Sequence, residues 1–284
     1  MKKKAYKKSR IPIPLRVINW LFPKLEKASP WLASRWFYRL FFRTARYPVP
    51  DKEQAVADKA KQYQVPYRGK HIQVYEWGEG TPVLMLHGWM GRGTQFFKFV
   101  SPFTEVGFRV ITFDASGHGK SDGRKSHLRE FIDVIHVLKE QNPELTRAVG
   151  HSLGGVALMH AAIAHNFERL VMIGSPARAD LILDEYRYRI GASEKVLPYF
   201  NRKFIADNGD SFEAYTAIEN VHRLTDTQLL LIHDQDDQEV PLANAEAMKQ
   251  KRPEATLMVT RQLGHTRILK DDKVIETALQ FIHS

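Results

Sequence analysis

Four short runs dominated by apolar residues, Val83–Leu86, Arg109–Phe113, Leu170–Ile173 and Leu229–Ile232, constrain most strongly how this chain can fold. Runs of four or five residues suit a strand and are too short for a helix. With no alternating polar position, each must be covered on both faces. Between them lie segments with helical spacing. Ser126–Gln141 sets Leu128, Phe131, Ile132, Ile135 and Leu138 on one side and closes at Asn142-Pro143. Thr146–Val149 and Thr256–Val259 read as further strands, and Leu153–His165, Ala243–Gln250 and Val274–Ile282 as helices. Val65–Trp77 reads as one or two early strands about a turn at Arg68-Gly69-Lys70. The expectation is an α/β chain, with a mostly parallel, doubly wound sheet flanked by helices. The stretch 176–225 is too long for an ordinary strand-to-helix connection and is expected to form a small helical cap.

The chain has 284 residues, 43% of them hydrophobic, enough for one large core. It holds no cysteine, which excludes disulfides, thiolate nucleophiles and cysteine-ligated metal centres. Its net charge of +10 is localised, because residues 1–50 hold thirteen Lys or Arg and a single acid, Glu26. Residues 1–60 are therefore set apart as a basic, aromatic, helical N-terminal extension, with residues 61–284 as the main domain. Prolines at 12, 14 and 23 interrupt any signal-type apolar region, and no stretch reaches the ~20 apolar residues of a spanning helix. A cytoplasmic location is expected. Trp31–Arg43 spaces Arg35, Arg39 and Arg43 four apart on an aromatic helix, downstream of the lysines at 2–8. Two readings stay open for residues 1–50. In one they make peripheral contact with the inner face of a membrane. In the other, which is preferred, their aromatics pack on the main domain. No nucleic-acid module accompanies the basic residues, so nucleic acid is not an expected partner.

Gly150-His151-Ser152-Leu153-Gly154-Gly155 follows a short strand and opens a helix. Glycines two before and two after a serine allow a sharp strand-to-helix turn that projects its hydroxyl. The competing reading is a glycine-rich turn with a capping serine. Beyond the strand at 229–232, the loop His233-Asp234-Gln235-Asp236-Asp237 offers three candidate carboxylates, and His265 lies between the last expected strand and the final helix. His87-Gly88-Trp89-Met90-Gly91 follows the first buried strand. Asp114–Ser121 ends in Lys-Ser but lacks the glycine spacing of a phosphate loop, and is read as a structural wall.

From about residue 64 onward, HGWMG, DASGHGKS, GHSLGG, HDQDDQEVP and LGHTRIL resemble, in order and spacing, the α/β-hydrolase superfamily on its esterase and lipase-like side. The resemblance implies the order nucleophile, acid, base: Ser152 as nucleophile, Asp237 as the acid, since acid-x-x-Val-Pro is the family spacing, with Asp236 in reserve, and His265 as general base. Asp234 and Asp236 are otherwise expected to be solvated or capping. Backbone amides of Trp89 and Leu153 would form the oxyanion hole. The reaction implied is hydrolysis of a small-molecule acyl ester through an acyl-enzyme, with no cofactor and no metal. Alternatives are a thioesterase or C–C bond hydrolase using the same residues, or a non-catalytic member recruited to a membrane by the basic N-terminus. Ser116 departs from the proline usual before Gly-His-Gly. Serine at 152 separates the chain from the aspartate-nucleophile branches, the haloalkane dehalogenases and epoxide hydrolases. The aromatics expected in the cap, Tyr186, Tyr188, Tyr199, Phe200, Phe204, Phe212 and Tyr215, read either as an acyl pocket or as packed helix faces. Oligomeric state is not legible.

Overall fold

Arg68 and Gly69 have φ of 46° and 74°, the pair of left-handed residues that a two-residue hairpin turn requires. In the computed structural model, which describes residues 13–284, they join β1 (Lys61–Tyr67) to β2 (Lys70–Trp77). Six more strands follow: β3 (Thr81–Leu86), β4 (Phe108–Phe113), β5 (Arg147–His151), β6 (Arg169–Ile173), β7 (Gln228–Asp234) and β8 (Thr256–Thr260). They form one sheet in the order β1-β2-β4-β3-β5-β6-β7-β8. β2 pairs antiparallel with both β1 and β4, and every pairing from β4 through β8 is parallel. The expected α/β architecture, a mostly parallel sheet flanked by helices, is the one observed.

The apolar runs follow from this topology. Val83–Leu86 is fully buried in β3, between two parallel neighbours and two helical layers. β8 pairs only with β7 and keeps a half-exposed pattern, as an edge strand must. On one side the core gathers Tyr75, Trp77, Phe96, Phe99, Phe103 and Phe108 with Val274, Ile275, Ala278 and Ile282 of the C-terminal helix. The chain leaves β3 for β4 on one side, then returns to β5 on the other. The carboxyl ends of β3 and β5 therefore open a crevice at a topological switch point.

The chain divides into two compact units. The larger comprises residues 44–177 and 220–284 and contains the whole sheet. The smaller joins the residues up to 43 with 178–219. It contains α1 (Ile13–Ala28), α2 (Pro30–Phe41) and the helices Ala179–Ile190 and Leu197–Asn208. Its own core is Phe22, Ala33, Phe37, Leu183, Ile190, Val196, Phe200 and Phe204. The N-terminal aromatics thus pack on the helices of residues 178–219: Phe37 and Phe41 stand edge-on to Phe200 at 5.8 and 5.0 Å between ring centres. Phe200, Phe204, Phe212 and Tyr215 spend their faces on this cluster.

The extension expected over residues 1–60 divides after Arg43 rather than at 60. Thr44 Oγ1 donates to Gly117 O at 2.8 Å, and Arg46 donates to the carbonyls of Gly119 and Gly123 at 2.8 and 3.0 Å. The helix Asp51–Ala57 then carries Glu53, which pairs with Arg92 at 2.7 Å, both nearly buried. These bonds tie residues 44–60 to the larger unit. The lysines at 2–8 lie outside the described residues.

Candidate active site

β5 runs into the helix Leu153–His165 through a turn with no space for side chains on its inner side. A Cβ on Gly150 would lie 2.5 Å from Gly155 N, and one on Gly154 would lie 2.3 Å from Leu86 O. Ser152 sits at the corner with φ 52° and ψ −124°, a strained conformation for a residue with a side chain. Its amide donates to Ile173 O at 2.8 Å, which anchors the corner to the end of β6. Leu153 follows as the first helical residue, so its amide belongs to a helix N-terminus, where donors lack intrahelical partners.

The loop after β3 faces this corner. A Cβ on Gly88 would lie 2.7 Å from Ser152 Cβ, so the His87–Gly91 backbone backs directly onto the serine. Trp89 lies in this loop, followed by Met90 at φ 57°, whose amide donates to His118 Nε2 at 3.0 Å. Asp114 holds the same wall. Its buried carboxylate accepts from the amides of Gly93 and Lys120, both at 2.8 Å, and from the Tyr75 hydroxyl at 3.2 Å. Burial pushes the Asp114 carboxyl above its ordinary range, against the pull of those amides.

At the carboxyl end of β7, Asp237 and His265 meet. His265 Nδ1 lies 2.7 Å from Asp237 Oδ2. The other carboxylate oxygen accepts the amides of Glu239 and Val240, both at 2.9 Å. Burial alone would raise the Asp237 pKa. The His265 bond and charge, with the two amides, outweigh it and hold the carboxyl below its ordinary value. Asp237 is thus an ionised acceptor facing Nδ1 of His265.

Asp234 departs from its expected solvated role. It is fully buried and accepts four bonds: Asp236 N at 3.0 Å and Gly264 N at 2.9 Å on Oδ1, Thr260 Oγ1 at 2.8 Å and Leu263 N at 3.1 Å on Oδ2. It thereby ties the loop carrying Asp237 to the turn that presents His265. Burial raises its pKa, but the Gly264 amide, the Thr260 hydroxyl and the remaining amides bring the net shift downward. Asp236 stays exposed and accepts the Gln262 amide at 2.9 Å.

Four buried histidines, none expected to act here, staple the loops. Ring N–H groups donate from His87 to Gly88 O at 2.7 Å, from His118 to Ser116 O at 3.0 Å, from His151 to His265 O at 2.8 Å and from His233 to Val240 O at 2.7 Å. His87 also accepts the Ala115 amide at 3.0 Å, as His118 accepts that of Met90. Burial lowers all four pKa values, to about 4 for His87 and about 3 for His118 and His151. Each is a neutral, tautomer-defined crosslink. In the sequence His151 and His118 carry a visible signal, since they lie inside the two glycine motifs.

The chain is similar to known proteins in family and fold. The alpha/beta hydrolase fold family matches residues 81–209, and a TAP-like protein family matches residues 207–282. A pimeloyl-[acyl-carrier protein] methyl ester esterase of Vibrio atlanticus is 26% identical over 144 residues, 50% of this chain and 54% of that protein. A 2-hydroxy-6-oxo-6-phenylhexa-2,4-dienoate hydrolase of Comamonas testosteroni is 30% identical over 112 residues, 36% of this chain and 39% of the relative. The chain thus matches about half the length, or less, of these curated relatives. Among solved structures, a bacterial membrane phospholipase A superposes with a TM-score of 0.64 at 13% identity, over 95% of this chain and 98% of the other, a likeness of fold.

Proposed function

Because the chain belongs to the α/β-hydrolase superfamily, we propose that it is a serine hydrolase of carboxylic esters, with Ser152 as nucleophile, His265 as general base and Asp237 as its orienting acid. The observation that carries the reading is the 2.7 Å bond from His265 Nδ1 to an ionised Asp237, at the same end of the sheet as a strained serine at a strand-to-helix corner. In the proposed reaction, His265 Nε2 takes the Ser152 hydroxyl proton as Oγ attacks the acyl carbon. The developing oxyanion is held by the amides of Trp89 and Leu153, each such donor being worth about 3 kcal/mol in the transition state. His265 then protonates the leaving alcohol, an acyl-enzyme remains, and water activated by the same imidazole releases the acid. Apart from substrate and water, the steps use only groups of the chain.

A small-molecule acyl ester is the proposed substrate. Methyl ester hydrolysis by the Vibrio relative favours it. The Comamonas relative, named as a dienoate hydrolase, favours carbon–carbon cleavage by the same residues as the second reading. The test is hydrolysis of p-nitrophenyl esters from acetate to laurate by the wild type and by Ser152→Ala, together with a thioester and a vinylogous diketone. Ester turnover that falls by at least about a thousandfold in the variant supports the proposal. Turnover of the diketone alone would move it to carbon–carbon cleavage. Equal product from both proteins on every substrate would sink it.

A further inference from the structure

We propose that the outer face of α1, together with the first turn of α2, docks on an anionic lipid surface. Helix α1 is apolar on two sides. One side, with Phe22 buried and Ile18 and Leu25 packed beside it, closes the smaller unit's core. At 100° per residue, Val17 and Trp20 fall on the far side from Phe22, with Leu21 and Ala28 at the edge between the two faces, and all four are exposed. Trp20 is 62% and Val17 50% exposed, and at the start of α2 Trp31 is 58% and Leu32 48% exposed. Of the eleven large hydrophobic side chains exposed among the described residues, eight belong to the smaller unit, including all five on α1 and α2. The inner face already has its partner, so the outer one is unexplained by folding.

The cations on the same helices identify the partner. Lys24 lies in the middle of the apolar stripe with its ammonium 3.1 Å from the centre of the Trp20 ring, and Arg35 lies 4.6 Å over Trp31. Arg16 and Lys27 flank the stripe on one side. The segment's single acid, Glu26, is turned inward, where it accepts the Ser193 hydroxyl at 2.8 Å. The outer face thus carries indole rings, aliphatic side chains and positive charge without a carboxylate from residues 1–50. Indoles and long basic side chains suit the headgroup region, and aliphatic groups suit the acyl boundary just beneath it. A nucleic acid would leave Val17, Leu21 and Leu32 without a use. At 16 residues α1 is shorter than a bilayer's apolar span, and no described helix is long and apolar enough to cross a membrane, so α1 would lie in the plane of the interface. The proposal does not depend on the chemistry at Ser152.

The experiment is co-sedimentation of the full chain with phosphatidylcholine vesicles and with vesicles that also contain phosphatidylglycerol. The expected result is binding to the anionic vesicles at least about tenfold tighter than to the neutral ones, weakening as salt rises. Trp20→Ala with Trp31→Ala should weaken that binding at least about tenfold while the far-ultraviolet circular dichroism and melting curve stay those of the wild type. Lys24→Glu with Arg35→Glu, a second and fully polar variant, should abolish the preference for anionic vesicles. Two results would overturn the proposal. One is equal sedimentation of the wild type and a folded tryptophan variant. The other is concentration-dependent self-association without vesicles that the tryptophan variant removes, which would assign the face to a second copy of this chain.

Discussion

Asp234 and Asp237 differ by three positions and have opposite legibility. Asp237 can be picked out from the sequence because its partners are local: the amides of Glu239 and Val240, two and three residues on, close around it in a turn that the Val-Pro spacing announces. Asp234 binds Thr260, Leu263 and Gly264, which lie 26 to 30 residues away, and nothing in its neighbourhood reveals that it will be buried. Four donors on one carboxylate make it irreplaceable by an amide, since an asparagine side chain there would aim its NH2 at two of them. Asp234→Asn is therefore expected to cost about 1–3 kcal/mol of stability, measured by urea unfolding. It should also lower kcat/KM for the preferred substrate at least about tenfold, mainly through kcat, because His265 loses its fixed position while substrate contacts remain. Wild-type kcat in the folded variant would refute the positioning role. His151 acts from the other side, its ring N–H donated to the carbonyl of His265 itself.

At the scale of elements, the strands are readable because a central parallel strand must be apolar at every position, and β3, β6 and β7 are buried along almost their whole length. The helix Phe97–Glu105 gives no such signal. Pro102 inside it and the glycines before it hide a spacing that nonetheless buries Phe99, Val100 and Phe103. The partnership of α1 and α2 with residues 178–219 is also unreadable, since more than a hundred residues separate the two halves of that core and each half alone has only an amphipathic pattern. Phe200 is the residue that joins them, fully buried among Phe37, Phe41 and Phe204. Phe200→Ala removes the ring from all of these contacts and is expected to cost about 3–5 kcal/mol. The loss should be local. Amide hydrogen exchange in α2 and in the helix Leu197–Asn208 should accelerate, while the central strands keep their protection. Uniform acceleration across the sheet would mean that the two units unfold together.

For the whole molecule, the histidine staples set the response to acid. His87, His118, His151 and His233 are neutral in the fold because burial outweighs their hydrogen bonds. All four pKa values fall below the ordinary 6.5, those of His87, His118 and His151 to about 4, about 3 and about 3. In the unfolded chain all four bind a proton as pH falls through about 6.5, whereas the folded protein does not. The unfolded state then holds more protons, so stability is fully present above about pH 7 and is lost as pH falls, by up to about 1.4 kcal/mol per pH unit for each histidine. The loss continues until the folded-state values of about 4 for His87 and about 3 for His118 are reached. Below the ordinary aspartate pKa of about 3.9, Asp234 and Asp237, whose pKa values are held down in the fold, add to it with the same sign. Urea midpoints should therefore be level from about pH 8 to 7 and drop steeply between about pH 6 and 5. His118→Gln, which keeps one donor and one acceptor and cannot take up a proton, should reduce the slope by about one proton's worth even if it lowers stability at neutral pH. A wild-type midpoint that stays level down to about pH 5 would mean that these imidazoles are reached by water and protonate in the folded protein, and that the loops around Ser152 are held by something other than neutral histidine.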